Sequence, residues 1–259
     1  MSSPKLSIVI PAYNEAARLP ASLERIIAYL ETRDLEYEVL VVDDGSSDRT
    51  AAAAEEILAP LGERGRVVRN AQNMGKGASV RRGMLAARGA RVLFTDADLS
   101  APIEELPKLE RALDEGAGIA IGSRGVDRSL IEERQSMARS LMGRFFNLVV
   151  QVFAVRGIKD TQCGFKLFLA EVVGPIFVRT RIERFGFDVE VLALAQRLGV
   201  PVAEVPVRWR NSPGSTVTLV QGARAFLDPI RVRLGMVLGR YRLRRATRWT
   251  TARVPASGR

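Results

Sequence analysis

The sequence predicts an α/β protein: a mostly parallel central sheet with helices on both faces, followed by amphipathic helices near the C-terminus. Three observations lead there. Short β-branched runs alternate with helical patterns through the first 125 residues, the order that builds parallel sheets with crossover helices. Acidic residues recur just after three of those runs, at Glu15, at Asp43-Asp44 and at Asp96-Ala-Asp98, and open α/β sheets bind ligands at their carboxyl strand ends. Apolar residues make up 47% of a 259-residue chain, enough for a substantial core and too many for a disordered one.

Leu6 to Ile10 reads as a buried strand, and residues 18–33 as an amphipathic helix. Tyr37 to Val42 is the next strand, ending in two aspartates. Residues 48–60 form an Ala-rich helix capped by Ser47 or Asp48. Strands follow at Arg66–Arg69, Arg91–Thr95 and Gly118–Ile121, with helices at 76–88 and 103–115 between them. The second half changes character. Residues 136–155 fit a helix whose polar residues Ser136, Ser140, Arg144, Asn147 and Gln151 form one narrow stripe. The rest of its surface is apolar, which suits a membrane interface or a buried position. Residues 187–198 read as a helix and Val202 to Trp209 as a strand. A second apolar stripe runs from Leu219 through Phe226, Leu227, Ile230, Leu234, Val237 and Leu238 to Tyr241, with Pro229 as a break or kink. The division expected is a catalytic domain over 1–215, including the helix at 136–155, then surface helices over 216–245, then a disordered basic tail over 246–259.

Composition removes whole classes of chemistry. There is no histidine, so His-based triads, His general bases and His metal ligands are excluded. The single cysteine, Cys163, permits neither an internal disulfide nor a thiolate zinc site, and its apolar setting suits a packed small side chain. A bound metal would therefore sit on oxygen ligands. Net charge is +10, but nine arginines follow the last acidic residue, Asp228, and without them residues 1–228 carry only +1. Such a tail favours an anionic partner: a lipid surface or a nucleic acid. A nucleic acid fits poorly, because the strand-end carboxylates would repel a polyanion. No run of 18 apolar residues spans a bilayer, and no signal-peptide pattern precedes the first strand. A peripheral protein on the cytoplasmic side of a membrane is expected.

The strand-end carboxylates carry the chemistry. Five acidic groups on one sheet edge repel one another by several kcal/mol unless a cation or hydrogen-bond donors compensate. The Asp96-Ala97-Asp98 pair has the spacing to hold one hard divalent cation, with phosphate oxygens completing its shell. Asn73-Met-Gly-Lys-Gly77 lacks P-loop spacing, so Lys76 reads as a contact to a nucleotide base or phosphate at a helix start.

Together, Pro11-Ala-Tyr-Asn-Glu15, Asp43-Asp44-Gly45-Ser46, Gly75-Lys-Gly77 and Asp96-Ala-Asp98 resemble the sequential motifs of the inverting family 2 glycosyltransferases, which have the GT-A fold, a Rossmann-like α/β sheet. Gly122-Ser-Arg124, the run from Arg156 to Phe168 and Glu183 to Glu190 resemble the polyprenyl-phosphate branch. The dolichyl-phosphate β-glucosyltransferases stand nearest and the mannose synthases further off. The resemblance implies that Pro11, Ala12, Tyr13, Glu15, Asp43 and Asp44 surround the nucleoside. It implies that Asp96 and Asp98 hold Mg²⁺ or Mn²⁺ and the diphosphate, with a backbone contact from Ala97. Arg124 and Arg144 match arginines that grip the acceptor phosphate, and Arg210 matches one that reaches the donor diphosphate. Asp160 matches a proposed catalytic carboxylate; a structural partner for an arginine is the other role open to it. The catalytic set expected is Asp98, Asp160 and Arg124. Two departures stand out: Ser100 where many relatives have Gln, and Gly214-Ser-Thr216 where many have Gly-Ser-Lys.

The activity implied is inverting transfer of a hexose from a nucleotide sugar, UDP-glucose foremost, to polyprenyl or dolichyl phosphate. The donor sugar is the open choice, with GDP-mannose and UDP-N-acetylhexosamine as alternatives. A soluble glycan acceptor is the other alternative. The lipid phosphate is mostly ionised at neutral pH, by analogy with a phosphoserine second pKa near 6, so a catalyst without histidine suffices.

Overall fold

The computed structural model describes residues 4–131, 146–210 and 226–241. Seven strands form one sheet: β1 (Leu6–Ala12), β2 (Tyr37–Asp43), β3 (Gly65–Arg69), β4 (Arg91–Thr95), β5 (Ile119–Ser123), β6 (Phe165–Leu169) and β7 (Val202–Pro206). Their order across the sheet is β3-β2-β1-β4-β6-β5-β7. β6 runs antiparallel to both neighbours, and every other pairing is parallel. The helices are α1 (Leu19–Glu31), α2 (Thr50–Leu58), α3 (Lys76–Ala86), α4 (Leu106–Asp114), α5 (residues 146–153), α6 (Ala170–Phe177), α7 (Phe187–Arg197) and α8 (Asp228–Val237).

The central strands are buried on both faces, which explains why they are nearly continuous in apolar residues. Ile8 and Ile10 of β1 face one layer, packing with Leu19, Leu23 and Ile26 of α1, Ala54 and Leu58 of α2, and Leu106 and Leu109 of α4. Val9 points the other way, into a layer with Val80 and Met84 of α3, Ile176 of α6 and Leu192 of α7. α3 approaches the sheet closely at Gly83, where an added Cβ would lie 2.4 Å from Cγ1 of Val9.

The α/β expectation and its first five strands hold, with element ends shifted by a few residues. The Ala-rich second helix starts at Thr50 with Arg49, not Ser47 or Asp48, at the N-cap position and no side-chain cap bond; Asp48, one residue earlier, accepts the Thr50 N–H at 2.9 Å in a local turn. β6 and α6 are additions that periodicity did not reveal. The strand expected over Val202–Trp209 stops at Pro206, and a single parallel bridge then joins Trp209 to Ile131. Pro229 sits in the first turn of α8, so the stripe is broken there by a helix start, the first of the two outcomes expected for it. Of the helix expected at 136–155, residues 146–153 are helical and 136–145 lie outside the described residues, as do 1–3, 211–225 and the tail from 242. Among the described residues, no helix is long and apolar enough to cross a membrane.

Candidate active site

The topology decides what meets at the carboxyl edge. β1, β2 and β4 are adjacent and parallel, so Ala12, Asp43 and Thr95 end side by side. Because β6 is reversed, its start lies at that same edge, and β5 and β7 again run parallel to β1. The segments after β5 (Arg124), before β6 (Asp160 to Gly164) and after β7 (Arg208 to Arg210) therefore join the three carboxylate segments.

The β1 and β2 ends form one lobe. The Asp44 N–H donates to Ala12 O at 2.8 Å, locking the two loops together. The buried Asp44 carboxylate accepts Met74 N–H at 2.9 Å, Gly75 N–H at 2.8 Å and Asn70 Nδ2 at 2.7 Å. It thus holds the loop before α3 and fixes where Lys76 emerges. Asp43 is also buried and accepts the Ser46 N–H at 3.3 Å. Glu15 pairs with Arg18 through two hydrogen bonds, of 2.6 and 2.8 Å. Tyr13, by contrast, is exposed, offering an aromatic face at the edge. Asn14 adopts φ of 52° between these groups, a strained conformation that clusters at functional loops.

The β4 end forms the centre. Lys76 Nζ lies 2.8 Å from Asp96 Oδ1. Burial of the lysine opposes its charge, but Asp96, Asp188 and Asp98 outweigh that, and its pKa is raised. The backbone then turns sharply: Asp98 Oδ1 accepts the Ser100 N–H at 3.0 Å, and Leu99 takes φ of 45°. Arg210 arrives at this turn, its N–H donating to Ser100 O at 2.9 Å.

The β5 end supplies the cationic side. Arg124 and Asp160 form a forked pair: Nε to Oδ2 at 2.7 Å and Nη2 to Oδ1 at 2.9 Å, with the Arg124 N–H adding a third bond at 3.0 Å. The guanidinium also lies 5.2 Å from the Trp209 ring centre. Burial would raise the Asp160 carboxyl, but Arg124 outweighs it and holds the pKa below the ordinary range. Asp160 is thus an ionised partner of Arg124, a contact that the sequence left open beside a catalytic role. Arg144 lies outside the described residues. Cys163 is buried, and burial pushes its thiol up to about 12, consistent with a packing role.

Sequence reasoning missed a second buried pair. Lys166 Nζ, on β6, donates to Asp188 Oδ1 at 2.5 Å and to Cys163 O at 2.6 Å. Burial raises the Asp188 carboxyl despite Lys166 and Lys76. Both lysines approach the Phe94 ring at 5.7 Å. Asp188 fell within a motif noted from sequence, Glu183 to Glu190, but nothing local pairs it with Lys166, 22 positions away.

Asp96 offers room for a cation. Its Oδ1 is buried and, among the described residues, has the Lys76 ammonium at 2.8 Å but no well-aligned hydrogen bond. A Cβ on Gly164 would fall 2.0 Å from Asp96 Oδ2, so glycine there leaves the carboxylate its space. Among the described residues no three acidic, Cys or His groups converge into a closed cage. Two carboxylates plus substrate phosphates suit Mg²⁺ or Mn²⁺ better than a dedicated protein shell.

A doubly wound sheet with one reversed strand, an Asp-X-Asp turn at its centre and arginines opposite defines a glycosyltransferase of the GT-A type. The model for glycosyl transferase family 2 matches residues 7–177, and the chain belongs to that family. It is 44% identical to a Drosophila melanogaster protein named dolichyl-phosphate beta-glucosyltransferase over 227 residues, 83% of this chain and 69% of that protein. A human protein of the same name is 37% identical over 253 residues, 92% and 78% of the two chains. Among solved structures, glucosyl-3-phosphoglycerate synthase from Mycobacterium tuberculosis, in complex with Mn²⁺, UDP and glucosyl-3-phosphoglycerate, superposes with a TM-score of 0.66 at 20% identity, covering 93% of this chain and 81% of that one. Mannosyl-3-phosphoglycerate synthase from Rubrobacter xylanophilus gives 0.64 at 19%, covering 96% and 79%. These two show the shared fold.

Proposed function

We propose that this chain transfers glucose from a nucleoside diphosphate sugar, UDP-glucose foremost, to dolichyl or another polyprenyl phosphate, with inversion, at the cytoplasmic face of a membrane. The observation that carries this is one sheet edge with acidic and amide groups at the β1, β2 and β4 ends opposite a fixed arginine at the β5 end, in a chain whose relatives bear that activity in their names.

Pro11, Ala12, Tyr13, Glu15, Asp43 and Asp44 line the nucleoside side, and Lys76 and Arg210 meet the donor phosphates. Asp96 and Asp98 would hold a divalent cation, Mg²⁺ or Mn²⁺, which when bound neutralises charge on the departing diphosphate. Arg124, with Arg144 from outside the described residues, receives the acceptor phosphate. A guanidinium suits this because its planar fork matches phosphate oxygens. Asp160 aims the fork and, with its pKa depressed, stays anionic. The acceptor monoester is already mostly ionised near neutral pH, so no proton must be removed before it attacks the anomeric carbon. Exposed Leu148, Val152 and Phe153 on α5, Ile230, Leu234 and Val237 on α8, and Leu227 and Leu238 at the two ends of α8 present apolar surface for a lipid interface.

The test is transfer of radiolabelled sugar from each of UDP-glucose, GDP-mannose and UDP-N-acetylglucosamine to a short-chain polyprenyl phosphate in detergent. Product from UDP-glucose with the opposite anomeric configuration is expected. No product from any donor refutes the function, and turnover of a soluble glycan instead would move the chain to another branch of the family.

A further inference from the structure

Outside the donor and acceptor groups, the structure carries a cavity of about 440 Å³ lined by Val178, Arg179, Thr180, Arg181, Arg240 and Tyr241. Two helices finish there, and their ends explain part of the arginine content. Arg179 Nη1 donates to Pro175 O of α6 at 2.6 Å, and Arg181 Nη2 donates to Arg240 O, just beyond α8, at 2.8 Å. Carbonyl ends attract cations, but each helix end supplies only about half a negative charge. Three guanidinium groups exceed two such ends, so the cavity remains cationic.

Its donors also outnumber its acceptors. Arg179 Nε is buried without a hydrogen-bond partner, an arrangement that a ligand oxygen would relieve. Each guanidinium carries five donors, and Arg181 and Arg240 are exposed. Among the described residues, the carboxylate behind this wall is Glu190, which is fully buried and committed elsewhere. It accepts the N–H groups of Arg181 and Ile182 and the Tyr241 hydroxyl at 2.8 Å. Its single charge leaves the balance positive.

The surroundings identify the kind of anion. The cavity lies just past the end of α8, where Val237 and the following Leu238 are exposed and apolar, and Val178 in its lining is 63% exposed. Cationic donors beside an apolar stripe match an amphiphile, head inward and chain outward. We propose that this cavity binds the phosphate of an anionic membrane lipid, a terminal phosphate monoester such as that of phosphatidic acid, separately from the acceptor site. This deepens the membrane-surface reading above and rests on it.

The test uses the full chain and phosphatidylcholine vesicles containing either phosphatidic acid or phosphatidylglycerol, matched in surface potential. Wild type should bind the phosphatidic acid vesicles more tightly. Arg179→Gln/Arg181→Gln should lose that preference together with overall affinity, by roughly fivefold per arginine. A control, Arg242→Gln/Arg244→Gln, should lose overall affinity and keep the preference. Equal loss of preference in both variants, or its survival in the first, overturns the proposal. Inorganic phosphate that raises the melting temperature of wild type but not of the first variant, with no lipid preference, would assign the site to the free ion and overturn the lipid source. Glucosyl transfer in detergent should be unchanged in both variants. Loss of transfer by wild type itself would sink the proposed function while leaving the vesicle result interpretable.

Discussion

Replacing Asp160 with asparagine separates an orienting carboxylate from a catalytic base. The Asp160 carboxylate accepts four hydrogen bonds, three from Arg124 and one from Gln162 N–H at 3.1 Å. Asn keeps the shape and one oxygen, but its amide turns two donors toward the guanidinium. The side chains of Arg124 and Asp160 are only 27% and 9% exposed, so water restores part of what is lost. The expected cost is about 3 kcal/mol, at the lower end for a broken buried pair. Arg124→Ala should cost a similar amount by stranding the carboxylate. The double variant should then recover about 2 kcal/mol of the summed losses, because one interaction is being counted twice. Urea unfolding of the four proteins measures this. The pH dependence carries the same signature. With its folded pKa depressed, Asp160 contributes stability that is complete above its unfolded pKa near 4 and is lost as pH falls through the folded value. Asp160→Asn should flatten that limb. In kinetics, the variant should raise KM for the polyprenyl phosphate more than it lowers kcat. Additive stabilities, or a roughly thousandfold drop in kcat at unchanged KM, would refute the orienting role and restore Asp160 as a base.

Three further outcomes follow from the site. Gly164→Ala places a Cβ 2.0 Å from Asp96 Oδ2; it should cost about 1–3 kcal/mol and abolish Mn²⁺-dependent nucleotide binding measured by calorimetry, and normal binding would dismiss Asp96 as a ligand. Asp98→Ala should cost about 1 kcal/mol by freeing the Ser100 N–H while lowering turnover roughly a hundredfold or more, with circular dichroism unchanged. Cys163, with its thiol pushed to about 12 by burial, should react with iodoacetamide only at the rate of global unfolding; fast modification of the native protein would show that the β6 entry opens locally.

Much of the molecule could be read along the chain because the information is local. Leu6 to Ala12 and Tyr37 to Asp43 are largely apolar runs, interrupted by Ser7 and Glu38, of the kind a strand buried on both faces requires. The carboxylates at their ends declare a ligand edge, since their mutual repulsion calls for a cation or donors. β6 escaped because it is only five residues long and has a lysine at its second position, which resembles an ordinary surface segment. Lys166 is buried only because Asp188 and Cys163 O surround it in three dimensions. An arginine partner for Asp160 was open from the sequence, but which arginine it is was not legible, since 36 positions separate Asp160 from Arg124.

The sheet class, the excluded chemistries and the residues at the strand ends could all be read along the chain, because periodicity, residue type and motif spacing are properties of neighbouring residues. Tertiary structure alone decided that β6 runs backwards between β4 and β5, carrying Asp160 and Gly164 to the edge where Asp96 and Arg124 already stand. Strand direction is set by which backbone hydrogen bonds and burials the whole sheet can satisfy at once, and no short stretch of residues records that balance.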